Sequence, residues 1–292
     1  MAMNDQATQE IEDVLTEIAR QMLDQGVGSG SFGQWGCSTI SVEICPDRVN
    51  AVIDAGACRL AVPSSAGASL SNVSGFIDHT LLKPDATIAD IDDLCSDALE
   101  YSFASVCVNG IHVRRCAEIL GGSTVKVCTV VGFPLGAVAP EVKLYETRRA
   151  IEDGAHEIDM VMNIGALKSG DDDFVRRDIA GLAQLCHRMG AKLKVILETC
   201  LLTDVEKRRA CELCKEAGAD FVKTSTGFGP SSATPEIVDV MVKTVGGKMG
   251  IKASGGIRTW EQAVGYLEQG ATRLGIGATQ TVLDGGVSAE KY

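Results

Sequence analysis

From about residue 75 the chain alternates short runs of β-branched and apolar residues with longer amphipathic runs, and this period constrains its fold more than any other feature. Strand-like runs begin near Gly75, Phe103, Lys126, Glu157, Lys192, Asp220, Gly250 and Thr272, at intervals of 22 to 35 residues. Between them, apolar residues recur at helical spacing over 87–101, 111–120, 138–153, 171–189, 203–217, 234–245 and 259–269. A strand followed by a helix returns to a parallel neighbour, so eight such units predict a (β/α)8 TIM barrel. The competing arrangement is an open, doubly wound sheet. It has no use for an eighth strand and usually carries a G-x-G-x-x-G turn after its first.

Local signals agree with the barrel. Thr87 with Asp90, and Thr203 with Glu206, place a capping hydroxyl and an acidic partner at two helix starts. Gly154-Ala, Gly190-Ala, Gly218-Ala and Gly270-Ala each follow a helical run and precede a strand, where a left-handed C-cap residue is expected.

The first 74 residues do not share this period. Gln9–Asp24 places Ile11, Val14, Leu15, Ile18, Ala19, Met22 and Leu23 on one helical face, and a flexible Gly/Ser segment, 26–33, follows. A short unit at 41–61 reads as a strand and a helix, and 64–74 reads as a linker. The expected organisation is an N-terminal helical extension at 1–74, a barrel domain at 75–284 and a flexible tail at 285–292.

Composition removes several function classes. The formal net charge is −12 and no Lys/Arg-rich block occurs, which argues against a nucleic-acid partner. The 11 cysteines are scattered, several inside apolar runs, so they suit a reducing compartment and not a disulfide framework. Cys211 and Cys214 make a lone C-x-x-C within a helical run, and the four histidines form no metal-binding motif, so no metal or cofactor is expected. The chain holds no 18-residue apolar stretch and its N-terminus does not read as a signal peptide. A cytoplasmic protein without membrane contact is the expectation.

Two lysines stand out: Lys223 in Asp220-Phe-Val-Lys-Thr-Ser-Thr-Gly227 and Lys252 in Gly250-Ile-Lys-Ala-Ser-Gly-Gly256. Each lies in an apolar run that ends in glycine. Burial lowers a lysine pKa from about 10.4, and a second ammonium about 4 Å away adds roughly 4 kcal/mol of repulsion at an effective dielectric near 20. Together these effects favour one neutral amine, the species that attacks carbonyls to form a Schiff base. The structural alternative is that each lysine reaches the surface from a strand end. Asp159 alternates with Ile158 and Met160, so it points to the face opposite that apolar pair, and its structural alternative is a pair with Lys252 that only satisfies a buried charge.

With these runs in place, the segment from Ile77 to about Leu283 resembles the deoxyribose-phosphate aldolase family. The matching motifs are Ile77-Asp-His-Thr-Leu-Leu-Lys-Pro84, Ser105-Val-Cys-Val-Asn109, Val131-Gly-Phe-Pro-Leu-Gly136, Glu157-Ile-Asp-Met-Val-Met-Asn163, Lys223-Thr-Ser-Thr-Gly-Phe228 and Lys252-Ala-Ser-Gly-Gly-Ile-Arg258. The resemblance implies cleavage of 2-deoxy-D-ribose 5-phosphate to acetaldehyde and D-glyceraldehyde 3-phosphate. It implies Lys223 as the Schiff-base lysine, Lys252 as the lysine that tunes it, and Asp159 as the acid/base residue acting with Lys252 and an ordered water. It places Asp78, Thr80, Cys107, Thr224 and Ser225 around the substrate, with His79, on the opposite parity, packed away from it. It also implies a phosphate site at Gly227, Gly255, Gly256, Gly277 and Ala278, although tight turns favour glycine in any case. Some relatives have lysine where this chain has Phe228 and serines near Gly277 and Ala278, which shifts phosphate binding toward backbone amides.

Other readings stay open on sequence alone: another Schiff-base phosphosugar aldolase or isomerase on a TIM barrel, or a non-catalytic microcompartment cargo protein. The helix at 9–24 resembles encapsulation peptides that dock enzymes inside bacterial microcompartments. Packing on its own barrel or at a homo-oligomer interface is the alternative role. The terminal Tyr292 could reach the active site or end a disordered tail.

Overall fold

The computed structural model describes residues 73–230 and 232–287. The expectations for the helix at 9–24, the Gly/Ser segment, the unit at 41–61, most of the linker and Tyr292 lie outside the described residues. Val73 and Ser74, read above as the end of that linker, are helical and buried.

Eight parallel strands form in the expected places. They are β1 (Ile77–Leu81), β2 (Ser105–Val108), β3 (Lys126–Val131), β4 (Glu157–Val161), β5 (Lys192–Ile196), β6 (Phe221–Lys223), β7 (Gly250–Ser254) and β8 (Arg273–Ile276). Each is hydrogen-bonded to the next in chain order, and β8 pairs with β1 to close the barrel. One parity of most strands is apolar and faces outward. Val106, Val127, Ile158, Leu193, Val222, Ile251 and Leu274 are all buried in the same core cluster as the helices' apolar faces. Each such side chain contributes on the order of 1.5–3 kcal/mol on leaving water.

The helices are α1 (Ile88–Glu100), α2 (Val113–Leu120), α3 (Pro140–Glu152), α4 (Ile164–Lys168), α5 (Asp172–Arg188), α6 (Asp204–Glu216), α7 (Pro235–Val245), α8 (Trp260–Gln269) and α9 (Thr279–Leu283). Both expected capping boxes form: Thr87 N–H donates to Asp90 Oδ2 and Thr203 N–H to Glu206 Oε2, each at 2.7 Å. Gly154, Gly190, Gly218 and Gly270 take φ of 108°, 77°, 81° and 110°, the left-handed turn that ends each helix before the next strand. Helices α4 and α9 were not foreseen. Five residues are too few for a helical period to register in sequence.

At the N-terminal end of the barrel, the Phe221 ring lies over Gly250, where an added Cβ would meet ring carbon at 2.2 Å. The Arg273 guanidinium sits 5.5 Å from the centre of that ring. These three residues plug the floor. At the opposite end the loops open. Gly136 in the β3–α3 connection adopts φ of 70°, and an added Cβ would lie 2.1 Å from the Met162 carbonyl oxygen.

Candidate active site

The inward parity of the strands carries charge. Asp159 on β4 is the register partner of Lys194 on β5, Lys223 on β6 that of Lys252 on β7, and Lys252 also pairs with Arg273 on β8. Parallel register thus delivers these side chains to one level of the barrel interior. Asp159 is central: its Oδ2 accepts from Lys223 Nζ and Lys252 Nζ, both at 2.7 Å. Its Oδ1 accepts from Lys194 Nζ at 2.7 Å and from the Cys128 thiol at 3.1 Å. Lys194 Nζ also lies 2.6 Å from Glu157 Oε2. Arg273 joins Glu157 to Asp78, and Asp78 Oδ1 takes a further bond from Ser105 at 2.6 Å. Lys252 Nζ is 2.5 Å from Asp78 Oδ2, an ion-pair contact without hydrogen-bond alignment.

Burial alone would raise the carboxylate pKa values, since a charge in low dielectric is disfavoured. At Asp159 it is outweighed by Lys194, Lys223 and Lys252, which hold the carboxyl well below its usual range. Asp78 and Glu157 are lowered too, against burial, chiefly by Arg273. For the lysines the balance is reversed. Burial opposes charge on Lys252, yet Asp159 and Asp78 hold its pKa well above normal, and Asp159 leads the same effect on Lys194. At Lys252 the carboxylates thus outweigh the burial and the second ammonium that would lower a lysine pKa. Carboxylates lie between the cations, and Lys252 is a firmly held ammonium.

Of the remaining expected site residues, Asp78 lies within this charged network, and Thr80 is buried with its hydroxyl donating to the Asp78 carbonyl at 2.7 Å. Cys107 is the register partner of Cys128, and hydrogen bonding to that thiol leads the lowering of its pKa. Cys107, Cys128 and Asp159 bring metal-type donor atoms within 4.8 Å of one another. The Asp159 oxygens are already taken by three ammonium groups and a thiol, which leaves a cation little to bind. The Thr224 and Ser225 hydroxyls are turned to neighbouring strands: Thr224 Oγ1 donates to the Ser254 carbonyl at 2.8 Å, and Ser225 Oγ lies 3.4 Å from Thr199 Oγ1. His79 packs outward as expected, 2.8 Å from Thr279 Oγ1 and facing Asp97 on α1. Burial, only partly offset by Asp97, lowers its pKa to about 4.

The glycine loops meet at the C-terminal face. Gly227, Gly255 and Gly256 have φ of 90°, 85° and 69°. An added Cβ on Gly255 would lie 3.6 Å from Gly227 Cα, which brings the β6 and β7 loops together. Gly256, Gly277 and Ala278 line one side of a cavity of about 400 Å³ with Thr80, Lys83 and Arg258, and its other side carries His79 and four carboxylates, Asp85, Asp90, Asp93 and Asp97. The Lys223 and Lys252 amines lie outside its wall, and Lys223 is 2% exposed. Arg258 was not singled out in sequence, yet its Nε is buried with no hydrogen-bond partner among the described residues. Phe228 offers no cation there, and its ring instead meets Phe133 edge-on at 5.3 Å. Lys194, Glu157, Arg273 and Glu198 were also missed. The signal that could have found the first three is their shared inward parity with Asp159, Lys223 and Lys252.

A closed barrel with paired amines on one carboxylate in its interior defines a carbonyl-handling enzyme of the aldolase class. The chain belongs to the DeoC/LacD family of aldolases, whose family model matches residues 73–286. It is 55% identical over 221 residues to a deoxyribose-phosphate aldolase of Thermococcus gammatolerans, covering 75% of this chain and 98% of the relative. A Geobacillus deoxyribose-phosphate aldolase is 53% identical, with 76% and 99% covered. Among solved structures, a putative deoxyribose-phosphate aldolase from Coccidioides immitis superposes with a TM-score of 0.73 at 38% identity, covering 82% of this chain and 96% of that one. The tetrameric enzyme from Aeropyrum pernix gives 0.70 at 35%, covering 74% and 91%. No helix among the described residues is long and apolar enough to cross a membrane.

Proposed function

We propose that this chain catalyses the reversible retro-aldol cleavage of 2-deoxy-D-ribose 5-phosphate to D-glyceraldehyde 3-phosphate and acetaldehyde. The observation that carries the reading is the single oxygen, Asp159 Oδ2, held 2.7 Å from both Lys223 Nζ and Lys252 Nζ. It gives the less enclosed amine, Lys223, a carboxylate to which it can pass its proton, while Lys252 stays charged. The neutral Lys223 amine adds to C1 of the open-chain sugar, and the proton held by Asp159 returns as the C1 hydroxyl leaves as water, so a protonated imine forms and Asp159 is again a carboxylate. Asp159, acting through a water, removes the C3 hydroxyl proton. The C2–C3 bond then breaks, its electron pair passes through C2 to the imine nitrogen, and C3 becomes the aldehyde carbon of D-glyceraldehyde 3-phosphate. Protonation of the enamine at C2 and addition of water release acetaldehyde and restore the amine, so the water lost is regained.

Lys252, itself paired with Asp78, anchors Asp159, and Thr80 and Cys107 border the sugar. Thr224 and Ser225 fix the path of the β6 loop through their strand-to-strand bonds. Backbone amides at Gly227, Gly255, Gly256, Gly277 and Ala278 hold the phosphate, and Arg258 supplies the cation that Phe228 does not. Borohydride reduction with acetaldehyde, followed by peptide mapping, tests the scheme. It predicts an ethyl adduct on Lys223, and an adduct elsewhere or none at all refutes it.

The division into an extension at 1–74, a barrel at 75–284 and a tail is supported by the family match and by relatives covered almost whole by three quarters of this chain. The amphipathic spacing at 9–24 supports a docking segment for a microcompartment shell or cargo partner, suited to an enzyme that releases a volatile aldehyde. The tetrameric relative supports self-association of the barrel. Deleting residues 1–30 should leave turnover and oligomeric state intact while abolishing co-assembly. Loss of folding on that deletion argues for packing on the barrel instead.

A further inference from the structure

Glu198 follows β5 and has no part in the charged network, yet it is 4% exposed and takes a left-handed backbone conformation, φ 51° and ψ 61°. A non-glycine residue held there costs on the order of 1–3 kcal/mol, and such residues persist where the surrounding structure over-determines them. Its carboxylate makes no ion pair among the described residues. Its acceptors are spent on the neighbouring loop and on Cys200: Oε2 takes Thr226 N–H at 3.3 Å and the Thr226 hydroxyl in a short bond, and Oε1 takes the Cys200 thiol at 3.5 Å. Thr226 Oγ1 in turn accepts from Phe228 N–H at 3.1 Å. Gly229 lies directly against the same carboxylate, since an added Cβ there would come 3.0 Å from Oε1. On the strand side, Leu197 N–H donates to the Lys223 carbonyl and Thr199 N–H to the Thr224 carbonyl, both at 3.0 Å.

One buried anion therefore fixes the whole turn that follows the Lys223 strand. It draws the Thr226 amide and hydroxyl and, through them, the Phe228 amide to the inner side. Gly227, at φ 90°, is left at the apex beside Gly255. We propose that Glu198 is a positioning residue that holds the 224–229 loop in the shape that selects phosphorylated over unphosphorylated aldehyde substrates. This rests on the reaction assigned above. The residue touches neither C1 nor the amines, so its removal should loosen the grip on the phosphate and leave the chemistry at Lys223 in place.

The test compares 2-deoxyribose 5-phosphate with 2-deoxyribose in steady state for the wild type, Glu198→Ala, Glu198→Gln and Thr226→Val. A lost hydrogen bond to a charged group predicts that Glu198→Ala raises KM for the phosphorylated sugar about tenfold or more, with kcat and the unphosphorylated reaction within about threefold. Glu198→Gln keeps an acceptor for Thr226 and should recover most of the loss. Thr226→Val should reproduce Glu198→Ala, and the double variant should be no worse than either. Equal loss on both sugars, or an unchanged selectivity ratio in Thr226→Val, overturns the proposal even if Glu198→Ala fails to fold. Calorimetric titration with D-glyceraldehyde 3-phosphate reads the loop without turnover. About tenfold weaker binding in Glu198→Ala or Thr226→Val supports the proposal, and unchanged binding or none in the wild type refutes it. A wild type that binds this phosphate but cleaves neither sugar sinks the assigned reaction alone.

Discussion

Replacing Lys194 by methionine tests whether the barrel interior is held by its charges. The substitution keeps the length of the side chain but removes an ammonium 2.6 Å from Glu157, 2.7 Å from Asp159 and 3.1 Å from the Cys128 sulfur. Asp159 Oδ1 is then left with a thiol as its one remaining donor. Removing one partner of a buried ion pair costs about 3–5 kcal/mol, because the other charge stays buried. For a barrel of this size that corresponds to a fall in Tm of roughly 6–20 °C. The pH dependence sharpens the test. In the wild type, Asp159 and Glu157 have folded pKa values below their unfolded ones, so their contribution is complete above about pH 4 and is lost as pH falls through the depressed values. The variant depresses them less, so its deficit should be widest near pH 8 and close as the carboxylates take up protons in acid. Calorimetry from pH 8 to about pH 2 measures this, with the deficit steady down to about pH 4 and closing below it. A Tm within about 2 °C of wild type at pH 8, or a deficit that grows in acid, refutes the reasoning.

Three further outcomes are expected. Gly136→Ala forces a Cβ toward the Met162 carbonyl at a left-handed φ and should lose more than about 2 kcal/mol in urea denaturation, whereas an unchanged midpoint denies the close approach. Phe228→Lys gives up one edge-on ring contact, worth about 0.5–1.5 kcal/mol, and should lower KM for the phosphorylated sugar in a salt-sensitive way. A KM indifferent to salt places residue 228 away from the phosphate. The wild-type Tm should be flat between about pH 5 and 9, falling in acid as the paired carboxylates protonate and above about pH 10 as Lys194 and Lys252 lose protons. A maximum near pH 4 contradicts that assignment.

The barrel was legible because its determinants are local. Alternating parity at Ile158, Asp159 and Met160, hydroxyl caps at Thr87 and Thr203, and glycine stops at 154, 190, 218 and 270 each depend on a few neighbouring residues. The centre of the site was legible for the same reason, since Lys223 and Lys252 break apolar runs. Its electrostatics were legible only in the pairing of Asp159 with Lys252. That Lys252 is stabilised by carboxylates depends on Asp78 and Asp159 arriving from strands 174 and 93 positions away in the sequence. Lys194 was hidden beside Lys192, which has the same parity but lies exposed at the strand's start. Glu198 leaves no periodic trace, because its part is set by a single turn and by a hydroxyl in the loop after β6.

The stopper made by Phe221, Gly250 and Arg273 turns the barrel into a blind alley. In the proposed reaction both products use one door, and the two-carbon fragment is moored to Lys223 while the phosphate end faces outward. The phosphorylated aldehyde must leave first. In the reverse direction acetaldehyde must already be aboard before its partner arrives, so the enzyme's kinetics should keep a strict queue.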